Sequence, residues 1–323
     1  TLRQMKAVCA WQRRNIIAPL QQALKPLAPI SVVLSEAPVL VVSLWISWFF
    51  VKQNQSAAGI WLVPIVEILN SILKSWFRHP RPGWISKDPV EFRQWTCEYS
   101  FPSSDMMLAM ASSAYLFPEH PYTMAVVGTV VGINRMFVGA HYLHDVIIGA
   151  IIGPAVTWAY MRYAVHETYI EPYLHSISGR MELAVMTLPI CLVVGLLSLR
   201  ALKLKDPKEW EMKANSSHTN FRPLDTTQAH LKQFSGMYGL LLSLVAFVPP
   251  QIPELEAIKH HTRNIYARIL LGQFLVVGTF LTIAAISPKN PSWAMHLCRA
   301  LRYASVPSVV MCACAPIFRS IGI

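Results

Sequence analysis

Apolar residues in this chain come in long runs, and their length decides what the chain can fold into. Runs close to the ~20 residues a helix needs to cross a bilayer lie at about 28–51, 57–73, 104–118, 122–138, 141–165, 182–199, 234–250, 265–286 and 295–317. Charge is scarce enough to leave them intact: 14% of the 323 residues are charged and 54% are hydrophobic, where soluble domains carry about 25% charged residues. These proportions exclude a disordered chain, a fibrous one and an ordinary soluble enzyme. They predict an all-α fold, a polytopic membrane helical bundle of about nine spans. The third and fourth runs are short and carry Ser112, Ser113, Asn134 and Arg135. Polar atoms facing lipid are costly, so these two runs are expected inside the bundle.

Three regions follow: an interfacial segment at 1–27, a membrane core at 28–165, and further spans at 166–323 with a polar loop at 200–233. Residues 3–27 mix Arg3, Lys6, Arg13, Arg14 and Lys25 with aliphatic residues and Trp11, the pattern of an amphipathic helix on a membrane surface. Gln21 and Gln22 break its apolar face and leave a plain solvated helix as the alternative. The six cysteines show neither zinc spacing nor a secreted disulfide ladder. Nothing at the start resembles a signal peptide. Glu36 and Glu67 lie inside apolar runs without an evident partner and read as packed or protonated side chains.

Chemistry concentrates at the ends of runs two to five. The second run closes as KSWFRHPRP, with Lys74 and Arg81. FPSSDMM opens the third with Ser103, Ser104 and Asp105, and NRMFVGAHYLHD supplies Arg135, His141 and Asp145. Two arginine forks and a lysine point charge suit phosphate oxygens. Ser103 and the amides at Ser104 open a helix, where anions bind. His141 and Asp145 are four apart, so on a helix a carboxylate would orient an imidazole. A histidine so held among three cations can attack phosphorus, and the cations neutralise the phosphoryl oxygens without a metal. Each piece alone has an ordinary reading: snorkelling bases, a helix cap, a surface i,i+4 pair. Their joint occurrence at run ends favours the site.

Lys-x6-Arg-Pro, Pro-Ser-x-x and Arg-x5-His-x3-Asp together resemble the three-part signature of the type 2 phosphatidic acid phosphatase and haloperoxidase superfamily, over about residues 60–160. EYSFPSS and the number of spans look most like the sphingosine-1-phosphate phosphatase branch. The resemblance implies that Lys74, Arg81, Ser103 and Arg135 bind phosphate, that His141 becomes phosphohistidine, and that Asp145 orients it. It implies neither metal nor cofactor.

The second motif of that family ends in a histidine that protonates the leaving alkoxide, and here the residue is Asp105. A buried aspartate can hold a proton and donate it. The neighbouring cations would instead keep it ionised and paired with Arg81 or Arg135. His79 or His144 are alternative acids. Ser104 stands where glycine is usual and Asn134 where serine precedes the arginine, and neither removes a reacting group.

Two functions are therefore expected. One is a lipid phosphate phosphatase acting on sphingosine phosphate or phosphatidate. The other is an impaired pseudophosphatase, a lipid-binding or structural subunit that serves other subunits of a membrane complex. Trp76, Trp84, Trp95 and Tyr99 would belt the lipid entrance or simply anchor their loop at headgroup level. The partners expected are a phospholipid or lipid phosphate and the bilayer, not nucleic acid. The net charge of +11 sorts by side: with nine spans, 21 of the 28 Lys and Arg fall on the face that carries the motifs. The positive-inside rule turns that face to the cytosol, or to an organelle's matrix or stroma if the membrane is an organelle inner membrane. The resemblance implies a lumenal or external site instead, with the endoplasmic reticulum as the membrane.

Overall fold

The computed structural model describes residues 2–29, 59–85, 90–91, 98–165, 176–203, 206–210, 212, 226–247, 262–288, 293–314, 317 and 320–321. The first apolar run falls, from residue 30 onward, outside the described residues, and so do Glu36 and Trp95. No strand occurs among the described residues. The chain divides into two compact units, one built from Thr1–Pro38, Leu69–Ala155 and Val193–His230, the other from Val39–Ile68, Val156–Leu192 and Leu231–Ile323.

The first unit begins with α1 (Leu2–Gln12), a π turn at Arg13–Ile17 and α2 (Ala18–Ala23). Cys9 and Ile17 are buried there with Val90, Met106, Met110, Met136, Tyr142 and Val146. Met5, Val8 and Trp11 stay exposed on the other face. The glutamine that broke the apolar pattern has a packing reason: Gln21 donates to the carbonyls of Glu91 and Phe137, each at 2.7 Å, and accepts from the Glu91 amide at 2.9 Å. A buried amide so satisfied costs little.

Next come α3 (Leu62–Phe77), which enters this unit at Leu69, then α4 (Ser104–Leu116), α5 (Pro121–Phe137) and α6 (Leu143–Tyr160). Ser103 caps α4, its Oγ accepting from the Met106 amide at 3.4 Å. Almost every residue of α4 is buried, including Ser112 and Ser113, as its polar content requires. The fourth run departs from expectation. Asn134 and Arg135 are buried at the end of α5, but Tyr122, Val126, Val130 and Ile133 form an exposed stripe along it. Only the polar end of that helix turns inward. Gly153 lets α6 press on α4, since a Cβ there would stand 2.4 Å from the Met107 carbonyl oxygen. Gly139, at φ +71°, makes the turn between α5 and α6, where a Cβ would meet the Glu91 carbonyl at 2.3 Å.

The second unit holds α7 (Ile177–Met186), the start of α8 (Leu188–Lys203), α9 (Thr226–Phe247) from Leu231, α10 (Thr262–Ile286) and α11 (Trp293–Ser308), which continues into a π turn at Val309–Cys314. Small residues bring α9 against α11. A Cβ at Gly239 would lie 2.2 Å from the Ala300 carbonyl, and Ser243 Oγ donates to Ala304 O at 2.7 Å. That is the helix packing for which the small residues of the last run are suited.

Two helical stretches among the described residues are long and apolar enough to cross a membrane, Leu143–Tyr163 and Tyr266–Ile286. Leu188–Leu197 and Phe234–Ala246 are shorter apolar helical stretches. Nine spans are not shown among the described residues.

Candidate functional site

Lys74 stands in the last turn of α3, where its buried ammonium donates to Glu98 Oε2 at 2.9 Å and lies 3.4 Å from Ser104 Oγ. The chain then leaves the helix through Arg78, a left-handed residue at φ +49°, and extends to Arg81. Arg81 is buried and held on three sides. Its Nε donates to Glu98 O at 2.7 Å, and its Nη1 donates to Ala140 O at 3.1 Å and faces His141 Nε2 at 3.2 Å. Burial lowers the Arg81 pKa to about 10, partly offset by the Glu98 and Asp105 carboxylates. The guanidinium stays charged at neutral pH.

Backbone bonds tie the three motif segments together. The Gly83 amide donates to Gly139 O at 3.1 Å, the Ser100 amide to His79 O at 2.8 Å, and the Ser103 amide to Asp145 O at 3.2 Å. All eight predicted residues are thus placed in one unit and, except Ser104, all are buried.

His141 sits between the α5–α6 turn and the first turn of α6. A guanidinium can only donate, so the contact with Arg81 makes His141 Nε2 the acceptor and leaves the ring proton on Nδ1. Nδ1 faces Asp145 Oδ2 at 3.6 Å, an approach just short of a hydrogen bond. Asp145 is fully buried, and the same Oδ2 accepts from Ser100 Oγ and from the Tyr142 amide, the latter at 2.8 Å. This arrangement leaves the lone pair of Nε2 turned toward the cations.

Asp105 bonds to Arg135, Oδ2 accepting from Nη1 at 2.5 Å. Of the two arginines weighed as its partner, the structure therefore pairs it with Arg135. That contact fits a charge partner for Arg135. His79 and His144 lie on the far oxygen of Asp145, with His144 Nε2 3.2 Å and His79 Nδ1 4.0 Å from Oδ1. His141 faces the opposite oxygen.

Two contributors escaped sequence reasoning. Ser100 steadies Asp145, and Glu98 occupies Lys74. Neither has a spacing that marks it, because each acts through a fold contact and not through a helical repeat. A further group, Cys9, gathers with His79 and His144 from three separate elements.

Residues 57–169 match the family model of the PAP2 superfamily. That stretch contains all eight predicted site residues, and it supports a general phosphoric-ester hydrolase. No curated protein and no solved structure matches the chain.

Proposed function

We propose that the chain is a membrane phosphatase that hydrolyses a lipid phosphomonoester through a phosphohistidine at His141. One observation carries this reading: buried His141 lies between Asp145, 3.6 Å from its Nδ1, and Arg81, 3.2 Å from its Nε2, an arrangement that fits a nucleophilic Nε2 among the cations. Lys74, Arg81 and Arg135 would take the phosphoryl oxygens, with Ser103 and Ser104 at the N-terminus of α4. His141 Nε2 would attack phosphorus in line, Asp145 would stabilise the cationic ring that forms, and the alcohol would leave. Water would then hydrolyse the phosphohistidine. Because Asp105 holds Arg135, the leaving alkoxide takes its proton from water, a slower route than a positioned acid by about 10²–10⁴-fold.

A lipid substrate fits the outer surface of the helices. On α10, Tyr266, Leu270, Phe274, Val277 and Leu281 are exposed at helical spacing, and Ile147, Ile151 and Trp158 are exposed on α6. Such stripes are what a helix presents to hydrocarbon.

A second reading rests on a specific pair of contacts. Glu98 holds Lys74 and Asp105 holds Arg135, so two of the three cations already carry a carboxylate. In a pseudophosphatase these pairs would persist and the protein would bind lipid or partner subunits without turnover. Phosphate release from sphingosine phosphate and phosphatidate by the purified chain separates the two. Activity lost in His141→Ala supports the phosphatase, and no release above that variant leaves the scaffold.

A further inference from the structure

Cys9, His79 and His144 are far apart in sequence, yet their ligand atoms lie within 4.8 Å of one another. Cys9 comes from α1, His79 from the segment after α3, and His144 from the first turn of α6, all in the first unit. Cys9 Sγ stands 3.4 Å from His79 Nε2. Two ligands at ~2.3 and ~2.1 Å on one tetrahedral centre stand about 3.6 Å apart, so this pair needs little movement to share a metal.

The surroundings of the two imidazoles match what ligating histidines require. A metal-bound histidine commonly donates its other ring N–H to a carboxylate or carbonyl oxygen. With His79 ligating through Nε2, its Nδ1 faces Asp145 Oδ1 at 4.0 Å. His144 has an acceptor beside each nitrogen: Asp145 Oδ1 is 3.2 Å from Nε2, and Gln12 Oε1 is 3.3 Å from Nδ1. Three of these buried atoms, His79 Nδ1, His144 Nε2 and Asp145 Oδ1, make no hydrogen bond. Such a cluster calls for a cation, since buried polar atoms are otherwise nearly always paired.

We propose that Cys9, His79 and His144 form a transition-metal site, with Zn²⁺ the best match, whose outer carboxylate is Asp145. One sulfur and two imidazole nitrogens are a borderline-soft set that suits zinc over magnesium or calcium. The fourth position is left to water. Burial raises the Cys9 thiol to about 11, with Arg13 pulling the other way, and metal binding displaces that proton. Asp145 would then have one oxygen toward His141 and the other toward the metal-bound rings. The proposal does not depend on turnover and holds for a phosphatase and a pseudophosphatase alike.

Co²⁺ titration of the full chain purified in detergent tests the site by absorption, apart from any activity. One equivalent should bind with a thiolate-to-cobalt charge-transfer band, and added Zn²⁺ should abolish the band. Cys9→Ser should lose the band, and Gln12→Ala should weaken binding by about 10–100-fold while keeping it. Thermal unfolding of each variant reports whether it folds. Should Cys9→Ser fail to fold, the wild-type titration decides: a charge-transfer band supports the site. Wild-type protein that takes up neither Co²⁺ nor Zn²⁺ beyond a His79→Ala/His144→Ala variant overturns it, leaving the three side chains as a packed polar cluster.

Discussion

Asp105 is the residue at which the proposed phosphatase and the proposed pseudophosphatase differ most. Its bond to Arg135 places a carboxylate on a cation at the position where the family that the sequence resembles is expected to keep an acid. Asp105→Asn removes the charge but not the shape. If Asp105 is only a charge partner, kcat changes by less than about tenfold; a positioned acid would cost 10²–10⁴-fold on removal. Asp105→His should raise kcat, and the two variants compared in one phosphate-release assay decide the role. Glu98 makes a related prediction. It occupies Lys74, so Glu98→Gln should tighten binding of inorganic phosphate about tenfold, equivalent to ~1.4 kcal/mol, as measured by product inhibition. At this scale the sequence was readable where the reacting groups lie close together along the chain, even though His141 sits in the turn before α6 and not on the helix that carries Asp145. His141 and Asp145, four apart, do face each other. Ser100, Glu98 and Cys9 were silent because their partners come from other elements, 45, 24 and 70 residues away.

Helices position the site through a few close approaches. α6 carries Asp145 in its first turn and is pressed against α4 at Gly153, with the Met107 carbonyl 2.4 Å from where a Cβ would be. Gly153→Val must push the two helices apart, and the Ser103 amide would lose its hold on the Asp145 carbonyl. The expected result is a loss of about 1–3 kcal/mol, read as a lower melting temperature in detergent, together with reduced phosphate release. An unchanged melting point would mean that the seam is looser than described. Hydrophobic runs announced these helices but not which faces turn inward. α5 shows why: its apolar stripe at Tyr122, Val126, Val130 and Ile133 is exposed while Asn134 and Arg135 are buried. In a membrane the apolar face belongs outside, so apolarity alone cannot separate lipid contact from core. Gln21 gives the converse case, a polar residue buried because two backbone carbonyls accept from it.

Charge acts on the molecule as a whole and bears on which compartment the site faces. Within the first unit, Asp206 accepts from Arg78 at 2.6 Å and from the Tyr99 hydroxyl at 2.9 Å. Trp210 lies against Trp84, and Arg200 lies over Trp76. Arg200, Asp206 and Trp210 therefore accompany the segment that carries Lys74 and Arg81, and whichever side of a membrane holds one holds the other. The 200–232 stretch alone contributes seven of the 28 Lys and Arg. By the positive-inside rule this face is expected to look to the cytosol, matrix or stroma, opposite to the lumenal or external site that the family resemblance implies. Lys208 and Glu209 are exposed, so proteases specific for basic or acidic residues can report the side directly in sealed membranes. Cleavage at these positions from the cytosolic, matrix or stromal side is the expected result. It would also require the phosphorylated substrate to be presented from that side. Cleavage from the opposite side only would reverse the topology and restore the lumenal arrangement, with the basic residues then retained for phosphate and headgroup contacts in place of orientation.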